Sequence, residues 1–217
     1  MTSTQRATLG TTEAMQGLPP DPGRGGGRAM TVFLDFEASS LGRRGFPIEI
    51  AWVFETGEGE SHLIRPAADW TEWAASAEAV HGIRRALLEH EGRPVDEVAR
   101  RAVEALAGHR LYASAPSWDG QWLSRLLRAG GLPRHALRLR STDEALAEAA
   151  DEALGAAGVP PEQRLRLRDD ILAEARRAAE AVPPAHRAAE DARRELVLWL
   201  DVRRRAREAA ARLSHGR

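Results

Sequence analysis

Thr31-Val-Phe-Leu-Asp-Phe36, with Glu37 next in the chain, is the stretch on which the reading of the fold turns. A short, almost continuous apolar run of this kind reads as a buried strand. Asp35 and Glu37 stand at i and i+2 near its end, and side chains at that spacing point to one face of a strand. Two carboxylates on one face beside a core repel each other and are costly to desolvate, and a bound cation relieves both penalties. The alternative is that the strand ends at Leu34 and both acids sit in a solvated loop.

Two more strands follow. Residues 46–54 place Ile48, Ile50 and Trp52 on alternate positions, residues 55–59 supply a turn, and residues 61–65 form a third strand. Connections this short favour antiparallel neighbours, so the three predict a meander. Helical patterns then take over. A short helix is predicted at about 69–75, another after His81-Gly82 through Ile83, Leu87 and Leu88, and a third from Pro94 to Gly108. Residues 110–114 read as a fourth strand. Ser117 is a candidate cap for the following helix, whose apolar positions are Trp118, Trp122, Leu123, Leu126 and Leu127. Residues 136–140 give a weak fifth strand, and helices follow at about 142–154, 161–181 and 187–213. Strands four and five each arrive through a helix, which predicts parallel pairing. The expected architecture is α/β: a mixed five-stranded sheet, three strands antiparallel and two parallel, flanked by helices.

Residues 1–29 are dense in Gly and Pro and carry little that could be buried, so they are expected to be a disordered extension. Residues 30–217 then form a single domain with a helical C-terminal region. Met30 is a candidate for the true start, which the intact mass of the natively expressed protein would test.

The 217 residues carry a formal net charge of −1, so any nucleic-acid surface must be local. All 31 basic Lys/Arg positions are Arg. Arginine suits bidentate phosphate contact, although abundant Ala, Gly and Leu also fit a GC-rich coding sequence. The absence of Cys excludes disulfides, thiolate zinc sites and cysteine nucleophiles. A metal site would rest on carboxylates and His, which favours hard divalent ions. No apolar run is long enough to span a membrane and the N-terminus has no signal-peptide core, so a cytoplasmic location is expected.

Three further residues stand out. Asp119 lies at the start of the helix after strand four, where the helix dipole favours a carboxylate. His186 and Asp191 are five positions apart, about 140° around a helix, so they share a face only if His186 is still in the loop. Pro183-Pro184 places it there. Taken singly, Asp119 also reads as an ordinary first-turn acid, and His186 and Asp191 as solvated residues.

As an ordered set, these motifs resemble the DEDDh 3′→5′ exonucleases, the family of polymerase proofreading subunits, ribonuclease T and oligoribonuclease. The resemblance covers about residues 31–200. It rests on Phe33-Leu-Asp-Phe-Glu-Ala-Ser-Ser-Leu41, on Leu111-Tyr-Ala-Ser-Ala-Pro-Ser-Trp-Asp119, on His186-Arg-Ala-Ala-Glu-Asp191, and on Val80-His-Gly-Ile83 between the first two. It implies a ribonuclease H-like fold and two divalent cations, Mg²⁺ or Mn²⁺, held by Asp35, Glu37, Asp119 and Asp191. It also implies His186 as the base that deprotonates the attacking water, since histidine ordinarily titrates near neutrality. The implied substrates are single-stranded DNA or RNA 3′ ends, cut to nucleoside 5′-monophosphates. Phe36, Ala38, Leu41 and His81 are the implied contacts to the terminal nucleotide, and a homodimer is an expectation because several small members are dimers. The family's first motif often continues with Thr and Gly where this chain has Ala38-Ser-Ser-Leu41, which bears on substrate preference.

Trp70, Trp73 and Trp118 are candidate base-stacking residues or core residues. The arginines of the last helix either meet phosphates or form a solvated face of i,i+4 pairs. The helices at about 142–181 either shape a substrate groove or pack. The alternative function is a non-catalytic nucleic-acid-binding or regulatory module that keeps the exonuclease fold.

Overall fold

In the computed structural model, which describes residues 28–215, the sheet is built around the quoted strand. The chain runs β1 (Thr31–Ala38), β2 (Pro47–Phe54), β3 (Gly59–Leu63), α1 (Ala75–His81), α2 (Arg85–Glu91), α3 (Val95–Leu106), β4 (Arg110–Ala113), α4 (Pro116–Ala129), β5 (Leu139–Ser141), α5 (Thr142–Ala156), α6 (Pro161–Glu180) and α7 (Ala188–His215). The strand order is β3-β2-β1-β4-β5. β1 pairs antiparallel with β2 and parallel with β4; β2–β3 is antiparallel and β4–β5 parallel. The expected mixed sheet is therefore present, with β1 at its centre. The expected disorder of residues 1–29 falls almost wholly outside the described residues.

Both faces of the sheet are covered, which is why β1 and β2 are nearly continuous apolar runs. Val32, Leu34 and Phe36 point to one side, with Ile48, Ile50, Trp52 and the buried faces of α3 and α4. Phe33 points to the other, with Val53, Tyr112 and the buried faces of α5, α6 and α7. Phe33 is fully buried, with its ring centroid 6.0 Å from Tyr112 and 5.9 Å from Trp199. The helices of residues 142–181 thus serve as packing, through Leu146, Ala150, Leu154, Ile171 and Leu172. No helix among the described residues is long and apolar enough to cross a membrane.

Four local expectations are corrected. Residues 69–74 form no helix; Trp70 is buried against Phe46 at 5.1 Å, and α1 starts only at Ala75. Ser117 does not cap α4, because Pro116 occupies its first turn and Ala115 the cap position. The third strand lies at Gly59–Leu63, and Ile64 instead bridges to Arg93. The fifth strand is shifted to Leu139–Ser141, because Ser141 and Glu144 form a reciprocal capping box that starts α5 there.

Candidate active site

Asp35 and Glu37 lie on the same face of β1 as Phe33, toward the C-terminal end of the central strand. α7 crosses that face. Its first turn holds Asp191, and further along Trp199 packs on Phe33. Carboxylate oxygens of Asp35, Glu37 and Asp191 all fall within 4.8 Å of one another. Asp119, in the first turn of α4, stands outside this trio but its charge acts on Asp35 across the cleft.

The electrostatics are those of a crowded anionic site. Burial, reinforced by Asp119, Glu37 and Asp191, pushes the Asp35 carboxyl up to about 9. Burial and Glu49 push Glu37 up to about 7, with Arg187 opposing. Burial pushes Asp119 up to about 7, against the Ala115 N–H that donates to its Oδ2 at 3.3 Å. Buried carboxyls that repel one another, with little positive charge near them, are a donor set suited to a hard divalent cation.

The loop before α7 is held by a residue that the motifs did not reveal. Glu49 is buried on β2, opposite Glu37 in the ladder. Arg187 Nη2 and Nε donate to it at 2.9 and 3.1 Å, and it also accepts from Ala188 N at 3.1 Å and Ser61 Oγ at 3.2 Å. Ala185 N donates to Asp191 Oδ1 at 3.1 Å. His186 sits between these two ties, exposed, with φ 55, the only non-glycine positive φ among the described residues. Its ring has no hydrogen bond or ion pair among the described residues, so the position of the residue is set by its backbone.

Glu195, one turn after Asp191, is a second residue missed. Burial raises its pKa, and its charge acts on both Asp35 and Asp119. Spacing of four on a helix places it below Asp191 on the same face.

The proposed nucleotide contacts gather in one cleft of about 540 Å³, lined by Asp35, Glu37 and Asp119 together with Phe36, Ala38, Leu41 and His81. Leu41 is 69% exposed at its mouth, whereas Phe36 is mostly committed to the core. Gly82, at φ 68, closes α1 immediately after His81, a conformation that favours glycine. His81 is buried and its Nδ1 accepts from Ile83 N at 3.0 Å, which puts the ring proton on Nε2. Burial lowers its pKa, which favours the uncharged ring, and Nε2 is buried without a partner. The two serines of the first motif support the loop. Ser39 Oγ accepts from Phe46 N at 3.1 Å, and Ser40 Oγ donates to Glu72.

Of the candidate stacking residues, Trp70 is core, and Trp73 is half-buried with Nε1 donating to Glu78 at 2.7 Å. Trp118 is 39% exposed in the cleft wall and stacks on Trp122 at 5.9 Å. The last helix pairs Arg204 and Arg205 with Asp201, Glu208 and Glu174, and lays Arg203 over Trp199.

No model of a known protein family matches the chain, and no curated protein matches it in sequence. Solved structures do match it in fold. The zinc-bound form of the E. coli exonuclease I–single-stranded DNA complex superposes with a TM-score of 0.61 at 18% identity, over 82% of this chain and 41% of that one. A moderately thermophilic exonuclease I from Methylocaldum szegediense gives 0.60 at 20% identity, over 82% and 41%. A further exonuclease I structure gives 0.60 at 16% identity, over 88% and 44%. The chain spans less than half the length of these proteins, and what it shares with them is the fold of their exonuclease I chains.

Proposed function

We propose that the chain is a metal-dependent 3′→5′ exonuclease of the DEDDh type that hydrolyses single-stranded DNA or RNA from the 3′ end and releases nucleoside 5′-monophosphates. The observation that carries this reading is the meeting of Asp35, Glu37 and Asp191 within 4.8 Å, drawn from a central strand and a helix distant in sequence. The shared fold with exonuclease I supports it.

Asp35, Glu37, Asp191 and Asp119 would hold two divalent cations, Mg²⁺ or Mn²⁺. Bound there, such ions neutralise phosphate charge and make water a stronger nucleophile. The chain supplies the remainder. His186 accepts the proton of the attacking water, and the ties on Ala185, Arg187 and Ala188 fix the loop that carries it. His81 offers its Nε2–H to the terminal nucleotide. Phe36, Ala38 and Leu41 border the space for that nucleotide, and Trp118 offers an exposed ring for stacking. The cleft walls limit water around the scissile phosphate, which strengthens each charge interaction.

Product identity tests the proposal. Chromatography of a digest should show nucleoside 5′-monophosphates, and a 3′-end block should stop their release. Nucleoside 3′-monophosphates, or undiminished cutting of blocked ends, would overturn it.

A further inference from the structure

Several arginines on this protein are neutralised by neighbours. Arg101 is tied to Glu60 and Glu104, Arg140 to Glu144 and Glu148, and Arg168 to Asp151 and Asp169. One concave region gathers arginines that are not. A groove of about 560 Å³ runs along the outer side of α4 toward β5, lined by Arg43, Arg125, Arg128, Arg134, His135 and Arg138, with no Asp or Glu in its wall.

The bonding of these side chains leaves their charge unmatched. Arg128 Nε donates to Ser124 O of its own helix at 3.3 Å, and Arg134 Nε donates to His135 Nε2 at 2.9 Å. Neither forms an ion pair among the described residues, nor does Arg43 or Arg138. Arg138 acts on Glu144 from a distance, but that carboxylate is already held by Arg140 at 2.7 Å. Arg125 donates to Gly45 O at 2.6 Å and lies over Trp70 at 5.5 Å, so it is a fixed part of the wall. Unpaired guanidinium groups in a concave surface repel one another and concentrate positive potential, which attracts an anion. Arg43, Arg128, Arg134 and Arg138 are all exposed to receive one.

The groove adjoins the carboxylate cleft. Trp122 lines both, Gly42 follows Leu41, and Ser117 precedes Trp118. A strand leaving the cleft would pass the stacked Trp118–Trp122 pair and enter the groove. Alternating aromatic and arginine contacts suit a flexible single strand, whose bases stack while its phosphates meet guanidinium groups.

We propose that this arginine groove binds the sugar-phosphate backbone of single-stranded nucleic acid upstream of the 3′-terminal nucleotide. The assignment of direction rests on the exonuclease reading above, whereas the binding itself does not.

The test is fluorescence anisotropy with the full chain in EDTA, using 5′-labelled oligothymidylate and oligouridylate of about 20 nucleotides and a short oligothymidylate of about 4. The long strands should bind about tenfold or more tightly than the short one. Each backbone phosphate neutralised on a single strand contributes about 0.7 to the slope of log affinity against log salt. The triple variant Arg128→Ala/Arg134→Ala/Arg138→Ala should therefore flatten that slope by about 2 and weaken long-strand binding about tenfold or more. A reference triple variant elsewhere on the surface, Arg100→Ala/Arg166→Ala/Arg177→Ala, removes the same charge and should keep the wild-type affinity and slope. The groove assignment is overturned if the groove variant binds like wild type, if the reference variant loses as much, or if the wild type shows no preference for length. Turnover of the short strand by the wild type with Mg²⁺ is scored separately. Its absence counts against the exonuclease reading and leaves the binding result to decide the groove.

Discussion

Glu49 and Arg187, 138 residues apart in sequence, form a two-point ion pair that fastens the loop before α7 to the second strand of the sheet. The pair is asymmetric: the Arg187 side chain is 47% exposed and that of Glu49 only 2%. Removing either partner therefore has different consequences. After Arg187→Ala, a buried carboxylate keeps only Ala188 N–H and Ser61 Oγ, and the loss should be about 2–4 kcal/mol. After Glu49→Gln, Arg187 can turn to water, and the loss should be about 1–2 kcal/mol. Urea unfolding of both variants checks the order; a larger loss in Glu49→Gln would contradict it. Because this loop carries His186, the proposed base, both variants should also lower kcat roughly tenfold or more.

The acid cluster should make the metal-free protein sensitive to pH. Asp35, Glu37 and Asp119 are raised from 3.8, 4.5 and 3.8 to about 9, 7 and 7. A carboxyl whose folded pKa is raised binds its proton more tightly in the folded state. Its contribution is present below its ordinary value and is lost as pH rises through the folded one. In EDTA, Tm should therefore fall from about pH 4 to about pH 9, and Asp35→Asn should fall less. Parallel Tm profiles for the two proteins would refute the cause.

His186 and Asp35 should separate by function. His186→Ala should lose most activity while titrating Mg²⁺ or Mn²⁺ like wild type in calorimetry. Asp35→Ala should lose both. Turnover near the wild-type level in His186→Ala would remove it from the role of base.

Phe33 is two residues before Asp35 on the same face, and it fills the space between Tyr112 and Trp199. Phe33→Ala should cost about 3–5 kcal/mol. Chemical denaturation would show it, and a loss below about 1 kcal/mol would mean that the core collapses around the gap.

The mixed sheet was legible in the sequence because apolar runs, turn residues and helix-length spacers agreed on three antiparallel strands followed by two parallel ones. Asp35, Glu37, Asp119, His186 and Asp191 were legible as an ordered pattern, and the carboxylates of Asp35, Glu37 and Asp191 meet within 4.8 Å. Glu49 was not, although an acid between Ile48 and Ile50 was a visible anomaly. Only knowing that both faces of β2 are covered turns it into a buried charge that needs a partner. Glu195 was hidden among the many acids of a charged helix. The segment from 69 to 74 looked helical because its apolar spacing reflects Trp70 and Trp73 reaching back onto Phe46. The arginine groove was invisible because only the fold brings Arg43 together with Arg125, Arg128, Arg134 and Arg138 in one wall without acids.

Incubating the protein with 5′-labelled single-stranded DNA and RNA, in Mg²⁺, Mn²⁺ or EDTA and beside Asp35→Asn, tests the central claim most directly. The account predicts a ladder shortened from the 3′ end, dependent on metal and absent in the variant. Intact substrates under every condition, with the metals shown to bind, would contradict it.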